Sequence, residues 1–505
     1  MKLTLLFLLA LAAPALAAGD SLDFQPLFDG KSLAHWDGNP EFWSVQDGLL
    51  TGQTTAEKPT GGNTFLTWTG GELDDFELKV DFKIEGGNSG IQFRSFPVPG
   101  AQWVVGGYQA DFDAGRGWAG SIYGERYRGV LGKRGEKTVI GEDGKPVVTG
   151  AIANPDKLRD AIKENDWNTY HIIARRNHIT QSINGVLMTD LTDNDDEARR
   201  SGILALQLHA GPPMKVQFRN ILLKRLRMED KKKVVFLAGR PSHGHGAHEH
   251  RAGCMLLTRL LNENMGDKIH AVTYSYGWPE DPTALQNADS IVIFCDGGGG
   301  HLAKPHLSEL EPYMTAGVGL GCIHYGVEIP KGDQGGDDFL RWIGGFFETN
   351  WSVNPHWTAE FTKFPDHPVA NGLQPFSALD EWYYHMRFPE DASAVTAILK
   401  TLPPVDTLSR PDGAHSGNPE VRAAVLERKE EQTVCWVVER PDGGRGFGFT
   451  GAHFHDNWAN DNFRKTVLNA VTWISKIEVP AGGVSSATPT REELDRNLPP
   501  SNPNR

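Results

Sequence analysis

The sequence predicts two domains, an antiparallel β-sandwich followed by an α/β domain with a parallel sheet. Three observations predict them. Upstream of about residue 226, short runs alternate apolar and polar residues, as in "FELKVDFKI", "GIQFRSF", "TYHIIARR" and "ILALQLH", with Gly, Asn and Asp between them. Period two is the mark of strands buried on one face. Downstream, continuous apolar runs alternate with amphipathic segments of helical period, the pattern of a parallel sheet covered by helices. Between the two halves, "LKRLRMEDKKK" (Leu223 to Lys233) ends one strand, crosses a charged connector and meets a new apolar run at Val234. The expected divisions are a leader over 1–18, the sandwich over 22–226, a linker over 227–233, the α/β domain over 234–477 and a disordered tail over 478–505.

The leader reads "MKLTLLFLLALAAPALAAGD": one lysine, an apolar core too short to span a bilayer, then small residues. That is the layout of a secretory signal peptide cut after Ala17 or Ala18. No cysteine follows the cleavage region to take a lipid anchor, and no other segment approaches the roughly 18 apolar residues of a membrane helix. An exported protein, periplasmic or extracellular and without a membrane span, is expected. The 505 residues carry a formal charge of -14, which argues against a nucleic-acid partner. The four cysteines, Cys254, Cys295, Cys322 and Cys435, show no disulfide framework in their spacing and are expected as buried free thiols. The tail after Pro480 is rich in Ser, Pro, Asn and Arg, a composition of disordered chain.

Within the first domain the polar residues of several strands fall two apart. Gln92 and Arg94 form one such pair, Gln109 and Asp111 another, Gln207 and His209 a third, and Gln217 and Arg219 a fourth. Each pair is placed on one face of its strand. A solvent-facing side explains any single strand. A face of amide, guanidinium and carboxylate groups, with Trp103, Tyr108, Trp118 and Tyr123 nearby, also suits sugar binding, in which planar polar groups meet hydroxyls and rings cover apolar sugar faces. Gln92, Gln109, Gln207 and Arg219 are the candidate substrate contacts.

From Val234 the order is strand "VVFLAG", a helix from about His248 to Asn264, strand "IHAVTYSY", a short helix at "PTALQNA", strand "SIVIFCDGGGG", helix "KPHLSELEPYMTAG" and strand "GLGCIHYG". This is a flavodoxin-like doubly wound alternation, whose ligands bind beyond the carboxyl ends of the strands. Loops bearing histidine leave those ends: "PSHGHGAHEHRAGC", "CDGGGGH" and "HYG". "DEWYYHMRF" and "GAHFHDNW" follow, and 14 of the 18 histidines lie beyond Lys233. His243, His248, His453 and His455 are candidate ligands for a divalent metal such as zinc, His324 is a candidate catalytic group, and Tyr384 and His385 are candidate sugar contacts. Metal-free acid–base work and a merely polar loop remain alternatives, because the spacing follows no known metal signature. "CDGGGG" lacks the layout of a dinucleotide fingerprint, so no nucleotide cofactor is expected.

"FQPLFDGKSLAHWDG", "WSVQDGLLTG", "GNSGIQFRS", "GYQADFDAG", "GSIYGE", "WNTYHIIARRNHITQSINGV" and "GILALQLHAGPPMKVQFRNI" together resemble the 3-keto-disaccharide hydrolase domain, a concanavalin-like, glucanase-like sandwich of jelly-roll form. The resemblance covers nearly all of residues 22–226. It implies cleavage of glycosides already oxidised at C3 of the sugar. The ketone acidifies the C2 hydrogen, so a base can remove it, the C1 substituent can leave, and water can add back. Asp111 and His209 are the candidate bases, Arg94 the candidate enolate stabiliser and Tyr123 the candidate acid for the leaving oxygen. A metal held by His209 and Asp111 could polarise the ketone instead.

The second half resembles the trehalose-utilisation (ThuA-like) family, which shares the class I glutamine amidotransferase fold. The resemblance runs from Val234 to about Ser475, through "SHGHGAHEHRAGC", "YSYGWPEDP", "CDGGGGH", "CIHYGVEIPKG", "WSVNPHWTAEF", "DEWYYHMRF" and "GFGFTGAHFHDNWANDNFRKTVLNAVTWIS". Amidotransferases place a nucleophilic cysteine at the centre of their elbow. Here that centre is His324, so glutamine hydrolysis is not expected. The two halves together imply an exported hydrolase or lyase on 3-keto-disaccharides. A separate sugar 3-dehydrogenase would act upstream of it. The alternative is a carbohydrate-binding sandwich that delivers the ThuA-like domain to glycan.

Overall fold

The computed structural model describes residues 23–499; the leader expected over 1–18 and residues 500–505 lie outside the described residues. The first domain is a sandwich of a ten-stranded and a seven-stranded sheet. Its strands that matter below are β1 (Thr64–Trp68), β2 (Phe76–Glu85), β3 (Asn88–Pro97), β4 (Val105–Asp113), β5 (Ile122–Glu125), β6 (Ile203–Leu208) and β7 (Lys215–Arg225). In β2 the alternation is regular: Phe76, Leu78, Val80, Phe82 and Ile84 are buried and the residues between them are not. These side chains meet Ile91, Phe93, Tyr108, Ala110, Phe112, Ile122, Leu204, Leu206 and Leu208 from the seven-stranded sheet in one apolar core. The central strands of that sheet run in the order β5-β4-β3-β6-β1, all pairs antiparallel. The expected antiparallel sandwich has one exception, the parallel pairing of Glu136–Ile140 with Val186–Asp193.

The second domain begins with β8 (Lys232–Ala238), α1 (His250–Met265), β9 (Ile269–Tyr274), β10 (Ser290–Phe294), α2 (Leu307–Thr315) and β11 (Gly319–Ile323). A hairpin of β12 (Trp357–Phe361) and β13 (Phe376–Asp380) follows, then β14 (Val395–Thr401), β15 (Gln432–Glu439), β16 (Arg445–Phe449) and α3 (Asp461–Ile474). The sheet order is β9-β8-β10-β11-β16-β15-β14. The first five strands are parallel and the last two pair antiparallel. The sheet is therefore mixed, a correction to the parallel sheet expected. Strands β10 and β11 are buried at every residue, as continuous apolar runs covered on both faces should be. Val234, Phe236, Val292 and Phe294 pack with Leu257 of α1 and Val467 of α3. Val235, Leu237, Ile291 and Ile293 pack on the other side with Leu310 and Met314 of α2.

Three further expectations change. The linker is shorter than 227–233, because Lys232 and Lys233 already belong to β8. "PTALQNA" forms turns and no helix. The tail is ordered over 478–499: Val479, Val484 and Leu494 are buried, and α4 (Arg491–Asp495) opens with a capping box between Thr490 and Glu493. Its Glu493 also pairs with Arg259 of α1 at 3.0 Å. Apolar residues spaced through a polar composition anchor this segment, which composition alone does not reveal.

The domains are joined by buried charge. Arg225, the last residue of β7, donates to Asp281 Oδ2 (2.6 Å), Asp74 Oδ1 (3.2 Å) and the Glu72 carbonyl (2.6 Å). Lys233 Nζ lies 2.6 Å from Asp74 Oδ2 and 2.8 Å from Asn287 Oδ1. Burial acts to raise the Asp74 carboxyl, but Lys233 and Arg225 pull it well below the usual carboxylate range. A carboxylate held low stabilises the fold above its unfolded pKa and loses that contribution as pH falls through the folded value. Removing one partner leaves a desolvated charge behind. Asp74→Ala is therefore expected to lower stability by about 3–5 kcal/mol, measured as the denaturant midpoint at constant slope near neutral pH. An unchanged midpoint would show that the network holds nothing.

Candidate functional site

On the seven-stranded sheet, the residues between the core positions turn to the opposite face, and there the sandwich gathers its polar groups. Gln92 Nε2 donates to Gln109 Oε1 at 2.6 Å. Gln109 Nε2 donates in turn to Asp111 Oδ1 (3.3 Å) and Gln207 Oε1 (3.4 Å). Asn88 Nδ2 adds a donor to Asp111 Oδ1 at 3.1 Å. All four are buried: Gln92, Gln207, Gln109 and Asp111 have 0, 0, 2 and 6% of their surface exposed. Gly90 makes this possible, since a Cβ there would come within 2.4 Å of the Gln109 side chain. Burial pushes the Asp111 carboxyl up to about 7, although its hydrogen bonds from Asn88 and Gln109 pull the other way. Gln207 Nε2 is buried without a hydrogen-bond partner.

Three more of the expected groups reach this face. Tyr123 of β5 stands directly across from Gln109, half-buried. His209 follows β6 and is half-buried; its Nδ1 faces the Ala210 carbonyl, so that nitrogen carries the proton and Nε2 keeps its lone pair. Asn63 donates to Glu125 and accepts from Ala210 N, which adds Glu125, a buried carboxyl that the strand pattern did not single out.

Three expected residues lie elsewhere. At Arg94 the β3–β4 register shifts and φ is 47°, so the alternation with Gln92 is broken. The guanidinium turns inward, donates to the Asp74 and Arg176 carbonyls and pairs with Asp75 at 2.8 Å. With no exposed surface it ties the sandwich together and cannot meet a substrate enolate. Arg219 lies in the other sheet, paired with Asp81 and stacked on Trp167. Tyr108 is a core residue whose hydroxyl donates to Asp193.

In the second domain, four parallel strands each deliver one group to their carboxyl edge. His248 lies in the loop after β8, Asp296 just after β10, His324 directly after β11 and His453 shortly after β16. Glu381 follows β13. His248 Nε2 lies 3.0 Å from His324 Nε2 and 3.1 Å from His453 Nδ1. Glu381 Oε2 is 3.1 Å from His453 Nδ1 and 3.6 Å from His324 Nε2. Ligand atoms of these four residues all lie within 4.8 Å of one another and could hold a metal ion. The far side of two of the three rings is fixed: His324 Nδ1 donates to the Thr450 carbonyl (2.8 Å) and His248 Nδ1 to Asp296 Oδ1 (3.0 Å). Burial, with His248 and His453 beside it, pushes His324 well below the usual histidine value, and burial lowers His248 too. Both rings are therefore neutral near pH 7, with Nε2 unprotonated. His248 and His324 hold left-handed backbone, φ 51° and 53°, which costs a non-glycine residue about 1–2 kcal/mol each.

Of the expected metal ligands, His248 and His453 belong to this cluster. His243 is exposed, stacks on His248 with ring centres 3.6 Å apart, and forms with His248 and Asp296 a second group that could hold a metal ion. His455 is turned away and bonds the Leu494 carbonyl at 3.0 Å. Tyr384 bonds Thr407 in the core and His385 stacks on Trp351. Neighbouring Tyr383 is the one that reaches the cluster, its hydroxyl 3.3 Å from both His324 Nε2 and Glu381 Oε2. Successive side chains of extended chain point to opposite sides, and a one-residue offset exchanges the two tyrosines. Glu381, Asp296 and Tyr383 are the residues that sequence spacing missed.

The fold and these two sites define a protein with a β-sandwich joined to an α/β domain that collects histidines at its sheet edge. Family models assign both halves. Residues 23–224 match the 3-keto-alpha-glucoside-1,2-lyase-like domain and residues 235–474 match the trehalose utilisation (ThuA) domain. The chain thus matches both of these family models, in that order. Among the solved structures it resembles is one from Parabacteroides distasonis ATCC 8503 named as a candidate glycosyl hydrolase. The match is 21% identical, covers 41% of this chain and all of that one, and has a TM-score of 0.28. A ThuA-like protein from Bacteroides uniformis ATCC 8492 is 17% identical over 48% of this chain and 91% of its own, with a TM-score of 0.34. A carbohydrate binding module, CBM66 of Bacillus subtilis, is 17% identical over 37% and 93%, with a TM-score of 0.25. No curated protein matches the chain.

Cys322 sits two residues before the elbow, inside β11 and fully buried. Burial raises its thiol well above the usual value and pushes the Cys295 thiol up to about 12. All four cysteines are free and buried. A thiol reagent is expected to modify none of them in the native protein and all four after denaturation, read by absorbance. Rapid native labelling of Cys322 would contradict this placement.

Proposed function

We propose that the protein is an exported carbohydrate-processing enzyme whose sandwich cleaves glycosides oxidised at C3, and whose ThuA domain binds or transforms the keto sugar released. The observation that carries this reading is Asp111, a carboxyl held near pH 7 by burial among amides on one face of the sheet. A base poised near the working pH is what removal of an activated C–H requires. In this mechanism Asp111 takes the C2 proton and the electron pair of that bond forms the enolate of the C3 ketone. The pair then makes the C1–C2 double bond and expels the C1 oxygen, which takes a proton from Tyr123. Water adds at C1, C2 regains a proton, and the free 3-keto sugar results. His209, with an open Nε2, can return protons from the rim. A separate sugar 3-dehydrogenase supplies the oxidised glycoside.

The test is incubation of the mature protein with a 3-keto-disaccharide and with its parent sugar. Release of monosaccharide from the keto form alone is the expected result. Asp111→Asn should lower kcat by about 10²–10⁴-fold while glycan affinity is kept. Because the base must be ionised, kcat/KM should rise with pH through an apparent pKa near 7. The same raised pKa makes Asp111 stabilise the fold at low pH. That contribution falls away as pH rises from about 4 to 7, and Asp111→Asn should remove this slope from the pH dependence of unfolding. Glycan binding with no cleavage of either sugar would make the sandwich a carbohydrate-binding module instead.

A further inference from the structure

The ThuA domain brings two nitrogen lone pairs face to face. His324 Nδ1 must donate, because its partner is a carbonyl oxygen, and His248 Nδ1 must donate, because its partner is a carboxylate. Each neutral ring then has only a lone pair at Nε2, and these atoms are 3.0 Å apart. Two protons are near: the Tyr383 hydroxyl can serve His324 or Glu381, and His453 Nδ1 can serve His248 or Glu381. Neither lies between the two Nε2 atoms. Both rings are buried, with 2% and 0% exposure, so solvent does not relieve the contact.

We propose that His248 Nε2, His324 Nε2, His453 Nδ1 and the Glu381 carboxylate bind a divalent transition cation, zinc(II) in the first instance. Bonds of about 2.0–2.1 Å to a tetrahedral zinc set neighbouring ligand atoms roughly 3.3 Å apart. Four of the six separations here run from 3.0 to 3.6 Å, and all the ligand atoms lie within 4.8 Å of one another. Three imidazoles with one carboxylate suit zinc and its neighbours, whereas magnesium and calcium take oxygen ligands. The surroundings of the ligands fit as well: Asp296 and the Thr450 carbonyl orient two of the rings, as carboxylates and carbonyls do behind metal-bound histidines. Glu381 keeps 13% of its side chain exposed, which gives the cation a way in. The strained backbone at His248 and His324 is the kind of constraint a binding site keeps. This inference rests on ligand geometry and is independent of the substrate proposed above.

The full mature chain is stripped with a chelator, dialysed, and titrated with zinc chloride by calorimetry, with metal content read by mass spectrometry. One equivalent per chain is expected, with a rise in melting temperature on loading. His324→Gln and Glu381→Gln should each abolish this binding, and Asp296→Asn should weaken it by about tenfold or more. His178→Gln, an exposed histidine of the sandwich, should leave it unchanged. Should His324→Gln fail to fold, Glu381→Gln decides, because its carboxylate reaches the surface. A folded wild-type chain that takes up no zinc overturns the proposal and leaves the two imidazoles sharing a proton. Uptake that survives Glu381→Gln overturns the ligand set.

Discussion

The constraint on which the arrangement rests is the buried charge at the domain junction. The chain leaves the sandwich at Arg225 and enters the α/β sheet at Lys232. Burying an arginine, a lysine and two aspartates is tolerable only if every charge is met. Here Arg225 meets Asp281 and Asp74, Lys233 meets Asp74, and Asn287 donates to the Leu226 carbonyl and to Asp74. Asp74 and Arg225 belong to the sandwich, Lys233 and Asp281 to the α/β domain. The two domains therefore share one electrostatic account, and a hinge at this connector would have to strip partners from charges that have no water. The first strand of the second sheet is pinned at its start, and its far end, where the histidine loop begins, inherits that placement.

What the α/β sheet does with this anchor follows from strand direction. Four parallel neighbours, β8, β10, β11 and β16, end on one edge, so loops far apart in sequence meet there without a long excursion. Strands β15 and β14 run antiparallel or return beside it and extend the sheet without adding to the cluster. Helices on both faces leave that edge as the place where polar side chains can gather. The fifth group, Glu381, follows the end of a separate hairpin that is tied to the histidine loop: Asp380 accepts from the backbone N–H groups of Ala452 and His453, which sets the carboxylate against the histidine it faces.

Much of this was legible in the sequence because both architectures leave periodic traces. The alternation of Gln109 and Asp111 against Tyr108, Ala110 and Phe112 places the polar pair on one face, and the loops after β8, β10 and β11 announce themselves by composition. The failures have physical causes. Period two assumes regular backbone, and at Arg94 a bulge with φ 47° sends the guanidinium into the interior. "WYYH" offers two tyrosines whose sides cannot be told apart without a register, and the structure selects Tyr383. Glu381 and Asp296 are single acids in loops, with no spacing to mark them. The tail reads as disordered by composition, yet Val479, Val484 and Leu494 suffice to dock it.

The two sites prepare their groups by opposite means. On the sandwich face, Asp111 is starved of water, and burial raises its pKa against the pull of the amide donors around it, so the carboxyl holds its proton more tightly than a free one. At the α/β edge, the Asp296 carboxylate and the Thr450 carbonyl accept from the rings behind and fix the tautomers so that lone pairs converge, with the Glu381 carboxylate beside them. The first arrangement is complete in itself, because a carboxyl can be protonated to relieve its burial. The second sets two Nε2 lone pairs 3.0 Å apart with no proton of either ring between them. That contrast, a carboxyl that can take up a proton against lone pairs fixed to converge, separates the chemistry of the two domains more sharply than their folds do.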